Sequence, residues 1–581
     1  MSFPLRSFRL STSFLVNLAA IFTILVSLLS TFKNPDLVHD TFFLGHAAAM
    51  NSDLSLYKDI YSIYGPLVSW MMALFTNIFG NFVVIGRIFG LIVHLFIVVL
   101  MWNFLKKYVA KRILKLILIT YTLIGSGFSE TNSPRWPFAF GVWPTALSII
   151  QLLLILNVLQ LLDKESTPEK RSNGLSTVLL SMGFGIGTLA FSRLQGIIFF
   201  IIFCLLTIYL GFRNYHLRKR AFLVLIPTLL GFSLPVALML FNNTFYHFLD
   251  QFVFGSFRFA NQHYNGKPFV NALLSNSFFF SIFFALVALI AIVAIIVFAK
   301  RLPPFFNYSF IIITAIITGL LVILSGHYRL PEDLNRSPKL WLIKWTYLIP
   351  SSFSFLCLII FIVLTLNFVF QFKYRNEKTI SILNLEGQVW LIGVVSLSML
   401  YVNFAYVYSL IPIMVCVIGV LGFFQERGEF RSLSEYAGKV LIFFATLSLS
   451  VSAFSLTSNQ SKFASREFIA MTHRSDYLSS WNSVATRVNM LLESKEASMF
   501  YCDLTIFRVY SPTSYRNDIQ FYKLSPKSES EFVSRVNSRV SRVLVCNPSV
   551  HAALVSLLPD WDSLTFKIDE RITISVLSKK E

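Results

Sequence analysis

The stretch from Asp36 to Asp59 gathers groups capable of acid–base or phosphate chemistry: Asp36, His39, Asp40, His46, Asp53 and Asp59. If residues 36–47 run as a helix, positions 36, 39/40, 43 and 46/47 share one face, and Asp36, His39, Asp40 and His46 converge. Carboxylates placed this way have two chemical uses. One is general base, taking a proton from an acceptor hydroxyl. The other is to hold a divalent cation, Mg or Mn, against a phosphate. A solvated loop face would be equally polar, so spacing alone leaves both readings open.

Other polar stretches offer partners for such a site. In "GSGFSETNSPRWPFAFGVWP", Glu130 and Arg135 flank a turn rich in Pro and Trp. Arg135 is a fork donor suited to phosphate. Trp136 and Trp143 fit sugar stacking or a membrane-interface belt. In "AFSRLQGIIFF", Arg193 stands alone between two apolar runs. An ionisable group at that depth is a functional candidate, unless it snorkels to the interface. Residues 242–276 add His247, Asp250, Gln251, Arg258, His263 and Tyr264. The segment "SGHYRLPEDLNRSPKLWLIKW" adds His327, Tyr328, Arg329, Glu332 and Asp333. Aromatics interleaved with Arg and His suit sugar and phosphate recognition, and equally a membrane-surface loop.

The elements that must position these groups are apolar. Of 581 residues, 55% are hydrophobic and 13% charged, and mean hydropathy is +0.67. Apolar runs of about 18 residues or more recur, the length that crosses a hydrocarbon core. The chain is read as an all-α polytopic membrane domain. Thirteen spans are expected, near 13–31, 82–105, 113–128, 144–162, 175–191, 197–212, 221–241, 277–298, 309–325, 346–370, 388–402, 410–424 and 440–456. No small-residue cleavage site follows the first run, so it is expected to stay as a helix. The run 66–80 is short and opens with Pro66, which predicts an interfacial or re-entrant helix.

Charge sets the orientation. With the N-terminus cytoplasmic, the inner loops hold roughly 22 basic residues, and the outer loops before the tail roughly 10. Counting 66–80 as a span would move "KKYVAKR" outside. The first long loop, 32–81, and the C-terminus are therefore expected outside. The net charge of +20 comes from basic residues scattered between spans, a positive-inside pattern, and no nucleic-acid partner is expected. The tail, 457–581, alternates short helices and strands and predicts a small α/β domain. Cys502 and Cys546 lie in it, and a disulfide between them is left open.

Missing signatures narrow the function. No GxxxxGK[ST], HExxH or GxSxG motif is present, which argues against ATP-driven pumping, an HExxH zinc protease and a serine-hydrolase elbow. Few acids fall within spans, which weighs against proton-coupled transport.

The segment 36–90 resembles the first extracytoplasmic loop of the C-fold glycosyltransferases (GT-C), polytopic enzymes that use polyprenyl-phosphate-linked sugars. The resemblance rests on three pieces. "HD" at His39–Asp40 matches the His-acid pair after the first helix. "LSLYKDIYSIYGPL" follows the bacterial pattern G-x-x-x-Y-(K/R)-D-I-(Y/F)-S-x-Y-G-P-L, with Leu54 or Ser55 near the usual Gly. "SWMMALFTNIFGNFVVIGR" brings Gly80 and then Arg87 at the start of the next helix. The resemblance implies a GT-C-like catalytic domain over 1–456. It implies a membrane glycosyltransferase that moves a sugar from a polyprenyl-phosphate donor to an extracytoplasmic glycan, lipid or protein acceptor, with inversion. Asp40 is then the catalytic carboxylate, at a position where Glu is common in the family, and Asp36 is its alternative. Arg135 and Arg193 hold the phosphate. Glu130 is nearest to the family's second-loop acid, and Asp59 orients the acceptor or its own loop. His39, Tyr64, Arg258, His327 and Arg329 complete the expected substrate contacts. A cation held by Asp36, His39 and Asp40 is the variant, since some members use a metal and others do not. A lipid-linked glycan flippase, or a glycan polymerase or ligase, competes with this reading. The bacterial pattern implies an inner-membrane location. Asn242 and Asn459 stand in N-x-[ST] sequons, and the endoplasmic reticulum stays open.

Overall fold

Most of the early apolar runs become helices in the computed structural model. It describes residues 12–30, 39–80, 83–106, 144–164, 173–213, 215–255, 497–500, 543–546, 555–567 and 573–580, together with positions 111, 114–116, 118, 119, 122, 487, 490 and 533. Helices α1 (Thr12–Ser30), α2 (His39–Met50), α3 (Pro66–Phe79), α4 (Val83–Leu105), α5 (Pro144–Lys164), α6 (Asn173–Leu189), α7 (Leu194–Arg213) and α8 (Tyr215–Phe241) follow in order. A short helix α9 (Phe245–Phe248) then runs into a π-helical turn, Leu249–Phe254.

Three stretches among the described residues are long and apolar enough to cross a membrane: Val84–Leu105, Leu175–Ser192 and Leu217–Phe241. Helices α1, α5 and α7, at 19, 21 and 20 residues, reach about 28–32 Å at about 1.5 Å per residue. The spans expected at 13–31, 82–105, 144–162, 175–191, 197–212 and 221–241 all fall on these helices, with ends shifted by up to about six residues. In 113–128 the described positions are helical. The six spans expected from 277 to 456 lie outside the described residues.

Helix α5 is the axis of the described bundle. Its residues from Ala146 to Leu159 are buried on every side, so its polar groups must be satisfied by protein. Gln151 Nε2 donates to Ile186 O of α6 and Gly196 O of α7, at 2.9 and 3.0 Å. Asn157 Nδ2 donates to Leu100 O and Gln160 Nε2 to Phe104 O, both on α4, at 3.3 and 2.9 Å. Polar side chains inside an apolar helix thus fix the register of three neighbours.

Helices α6 and α8 approach backbone to backbone. A Cβ at Gly187 would lie 1.9 Å from Thr228 O, and one at Gly231 would lie 2.2 Å from Phe184 O. With Gly183 this makes a G-x-x-x-G contact. Pro235 has no N–H to bond the carbonyl of Gly231 four residues back. Thr188 Oγ1, on α6, donates to that carbonyl at 3.3 Å.

Helix α3 has 14 residues, about 21 Å, too short for a core of about 30 Å. Pro66 occupies its first turn, and Gly80, at φ 91°, ends it with an N–H bond to Thr76 O at 2.7 Å. Leu67, Val68, Ser69, Met72, Ala73 and Thr76 are buried, while Leu74, Ile78 and Phe79 are exposed. It packs against α2, α4 and the turn at Ala190–Ser192.

In the tail, β1 (Ala497–Phe500), β2 (Val543–Cys546), β3 (Trp561–Lys567) and β4 (Thr573–Lys579) form a sheet of order β1-β2-β4-β3. The β1–β2 pair is parallel and the other two pairs are antiparallel. Ser575 and Leu577 of β4 alternate inward, with Trp561 also buried. Cys546 lies in β2, and Cys502 lies outside the described residues.

Candidate functional site

The described part of the candidate site is built from three segments far apart in sequence. They are the α2–loop–α3 unit, the break between α6 and α7, and the π-helical turn after α9.

Asp40 is the second residue of α2, and His39 the first. The first turn of a helix favours negative charge through the macrodipole. From Phe43 to Ala49 the helix is buried. His46 is turned into this core: its Nδ1 lies 3.0 Å from Ser69 Oγ of α3. This contact ties α2 to α3. Asn51 Nδ2 donates to Thr76 Oγ1 at 3.1 Å and closes the other end of the α2–α3 pair.

The sequence "LYKDIYS" is largely a folded plug. Leu56, Tyr57, Ile60 and Ser62 are buried, and of these seven residues only Lys58 is fully exposed. Asp59 closes a tight turn: Ser55 N donates to its Oδ2 at 2.9 Å, and Asp59 N donates to Ser55 O at 2.9 Å. In this structure Asp59 orders its own loop. Tyr57 adopts φ 71°, rare for a bulky residue. Its hydroxyl donates to Tyr64 O at 2.8 Å. Burial pushes that phenol well above its usual pKa, so it stays a donor across physiological pH.

Tyr64 is half-buried, its ring 5.9 Å from Phe42 and 5.7 Å from Phe43 of α2. Gly65 follows. Its N–H donates to Ser192 O at 3.3 Å, and a Cβ there would lie 1.7 Å from Phe191 O. Only glycine permits this approach. Ser192 Oγ in turn meets Ser148 Oγ of α5 at 3.1 Å. The next residue is Arg193, in extended backbone (φ −155°, ψ 160°) where the helix breaks, and it is only 7% exposed. The lone arginine read from the sequence is thus bonded, through its neighbour, to the "YGPL" turn of the acidic loop.

The third segment grips the same loop. Gln251, on the π-helical turn, accepts from Ser62 N at 3.0 Å and donates to Tyr57 O at 2.5 Å. Phe248 packs on Tyr57 and Phe191, with centroids 5.3 and 5.9 Å away.

Asp36, Glu130, Arg135, Arg258, His327 and Arg329 lie outside the described residues. Among the described residues no three His, Cys, Asp or Glu side chains cluster as metal ligands. Ser192 and His94 were not singled out in the sequence, and Arg87 was named only as the start of its helix. Ser192 carries the contact to Gly65, with no signal beyond its place beside Arg193. Arg87 and His94 of α4 are both buried, at 3% and 2% exposure. Their spacing of seven, which places them on one helix face, was the available signal.

No protein-family model matches the chain, and no curated protein matches it. Among solved structures it is similar to ArnT from Cupriavidus metallidurans bound to undecaprenyl phosphate, with 13% identity, a TM-score of 0.38, and 98% of each chain covered. It is similar to the Archaeoglobus fulgidus oligosaccharyltransferase in complex with Zn and sulfate, with 11% identity and a TM-score of 0.47 over 95% of this chain and 72% of that one. It is also similar to the archaeal oligosaccharyltransferase AglB from Archaeoglobus fulgidus in complex with an inhibitory peptide and a dolichol-phosphate, with 10% identity and a TM-score of 0.47 over 93% and 70%. The likeness in overall structure is to ArnT and to these oligosaccharyltransferases, and at such identities and scores it carries no argument about residues or reaction.

Proposed function

We propose that the chain is a membrane glycosyltransferase of the GT-C kind, which moves a sugar from a polyprenyl phosphate to an extracytoplasmic glycan, lipid or protein acceptor. The observation that carries this reading is the bond between Gly65 N and Ser192 O. It attaches the acid-bearing "HD…YKDIYSIYGPL" unit to the break that holds the buried Arg193. A base and a phosphate-binding cation need such a common frame.

The reaction then follows from what each group can do. The acceptor hydroxyl oxygen attacks the anomeric carbon, and the bond from that carbon to the phosphate oxygen breaks with inversion. Asp40 takes the hydroxyl proton, with Asp36 as the alternative base. The leaving phosphate keeps the electron pair, and Arg193 and Arg135 stabilise its charge. Tyr64, His39, Arg258, His327 and Arg329 are assigned to substrate contacts, with Glu130 as a second acid. A divalent cation on Asp36, His39 and Asp40 would supply charge neutralisation at the phosphate. Dialysis against a chelator, followed by add-back of Mg or Mn, tests this variant.

Membranes containing the protein, given polyprenyl phosphates that carry different hexoses and pentoses, test the reading. Mass spectrometry is expected to show free polyprenyl phosphate and a glycosylated product for at least one donor. Movement of intact lipid-linked sugar across vesicles, without covalent change, would favour a flippase instead.

A further inference from the structure

We infer that Gln251 is a positioning residue for the proposed phosphate site, acting through the loop Tyr57–Gly65 on the turn that carries Arg193; this rests on the glycosyltransferase reading.

The carbonyl of Tyr57 and the N–H of Ser62 belong to a buried loop rather than to a sheet, so they need side-chain partners. A single amide supplies both. Gln251 Nε2 donates to Tyr57 O, and Gln251 Oε1 accepts from Ser62 N. Gln251 lies 189 residues beyond Ser62 and is 5% exposed. Its two bonds hold Tyr57 at φ 71°, a conformation a bulky residue leaves unless surrounding bonds over-determine it. The residue sits on a π-helical turn, Leu249–Phe254, a departure from α-helix that is common at functional sites.

The strain at Tyr57 is linked onward by bonds alone. Tyr57 Oη donates to Tyr64 O. Ser62 Oγ accepts from Tyr64 N at 3.1 Å and lies 3.2 Å from Tyr64 O. Gly65 N, the next donor, reaches Ser192 O, and Arg193 follows. The path from Gln251 to Arg193 therefore passes through short bonded steps in a buried, close-packed region. Packed regions of this kind transmit small displacements. Losing the amide leaves two buried backbone groups unpaired, and relaxation at Tyr57 shifts Tyr64 and Gly65 away from the Ser192 turn.

The chemistry of the amide provides a test that a merely structural role would not pass. Gln251→Leu removes both bonds. Gln251→Glu keeps the shape. When protonated, its carboxyl donates to Tyr57 O and accepts from Ser62 N, as the amide does; when ionised it can only accept. Burial favours the neutral acid, so the glutamate variant should behave like the parent at low pH and like the leucine variant at high pH. The probe is undecaprenyl phosphate, titrated into the full chain purified in detergent at pH 5.5–8.5, with affinities expressed relative to the unsubstituted protein at each pH. Gln251→Leu is expected to weaken binding about tenfold at every pH. Gln251→Glu is expected to match the parent at pH 5.5 and approach the leucine variant at pH 8.5. A flat ratio for Gln251→Glu, or unaltered binding by Gln251→Leu, would overturn the inference.

Amide exchange over residues 55–65 is read in parallel and needs no substrate. It is expected to quicken at Ser62, Tyr64 and Gly65 in Gln251→Leu. Unchanged exchange there overturns the inference even if binding is altered. If the unsubstituted protein binds no undecaprenyl phosphate while exchange responds as expected, the glycosyltransferase reading fails and the coupling stands. If Gln251→Leu does not insert, the pH profile of Gln251→Glu decides alone.

Discussion

At the scale of single residues, the proposed site pairs an acid and a cation held by different segments. Arg193 is buried at a helix break, and in the proposed reaction it binds the leaving phosphate. Charge-assisted bonds to a phosphate contribute about 1.5–3 kcal/mol each. Arg193→Ala is therefore expected to weaken undecaprenyl phosphate binding by about tenfold to a hundredfold, measured by titration of the purified chain. Arg193→Lys should recover only part of it, because an ammonium cannot form the two-pronged contact. Asp59 shows how far sequence carries a residue. Its acid in "YKDIYS" was visible, but its bond to Ser55 N depends on a turn that no spacing announces. His46 was legible as a histidine on the same helix as Asp40. Its burial against Ser69 depends on a second helix 23 residues on, which periodicity in one helix cannot reveal.

At the scale of elements, the structure turns on short breaks between apolar runs. Gly65 allows the α3 entry to touch the α6–α7 break, and Gly65→Ala would force Phe191 O away. Overpacking of this kind typically costs about 1–3 kcal/mol. A lower thermal midpoint in detergent, with weaker undecaprenyl phosphate binding, is expected. A variant with the parent's midpoint and binding would show that the contact is dispensable. The span helices were legible because hydrophobic length is a one-dimensional property of the chain. The short helix α3 was legible from Pro66 and from charge balance, and its 14 residues agree with a helix that does not cross. This has a direct check in a cysteine-free background. K58C and N77C, on either side of most of α3, are expected to react with an impermeant maleimide from the same face of the membrane. K106C, beyond α4, is expected to react from the other face. Opposite reactivity at positions 58 and 77 would make α3 a span. What sequence did not disclose was the π-helical turn and the Gln251 clamp, since residue 251 and the loop it holds are neighbours only through tertiary packing.

At the scale of the whole molecule, a bundle centred on α5 supports a buried loop on one side, and a four-stranded sheet forms in the tail. The polar axis of α5 matters to the site because Ser148 and Gln151 bond at the α6–α7 break, one turn from Arg193. The bundle thereby fixes the backbone on either side of Arg193, and the Gly65–Ser192 bond joins that backbone to the acidic loop. The central claim is that Asp40 serves as base in transfer from a polyprenyl-phosphate sugar. Its most direct test compares the purified protein with Asp40→Asn, following free polyprenyl phosphate released in the presence of acceptor. A loss of about a hundredfold to ten-thousandfold is expected, with normal insertion and unaltered affinity for undecaprenyl phosphate. Near-parent transfer by Asp40→Asn would contradict the account.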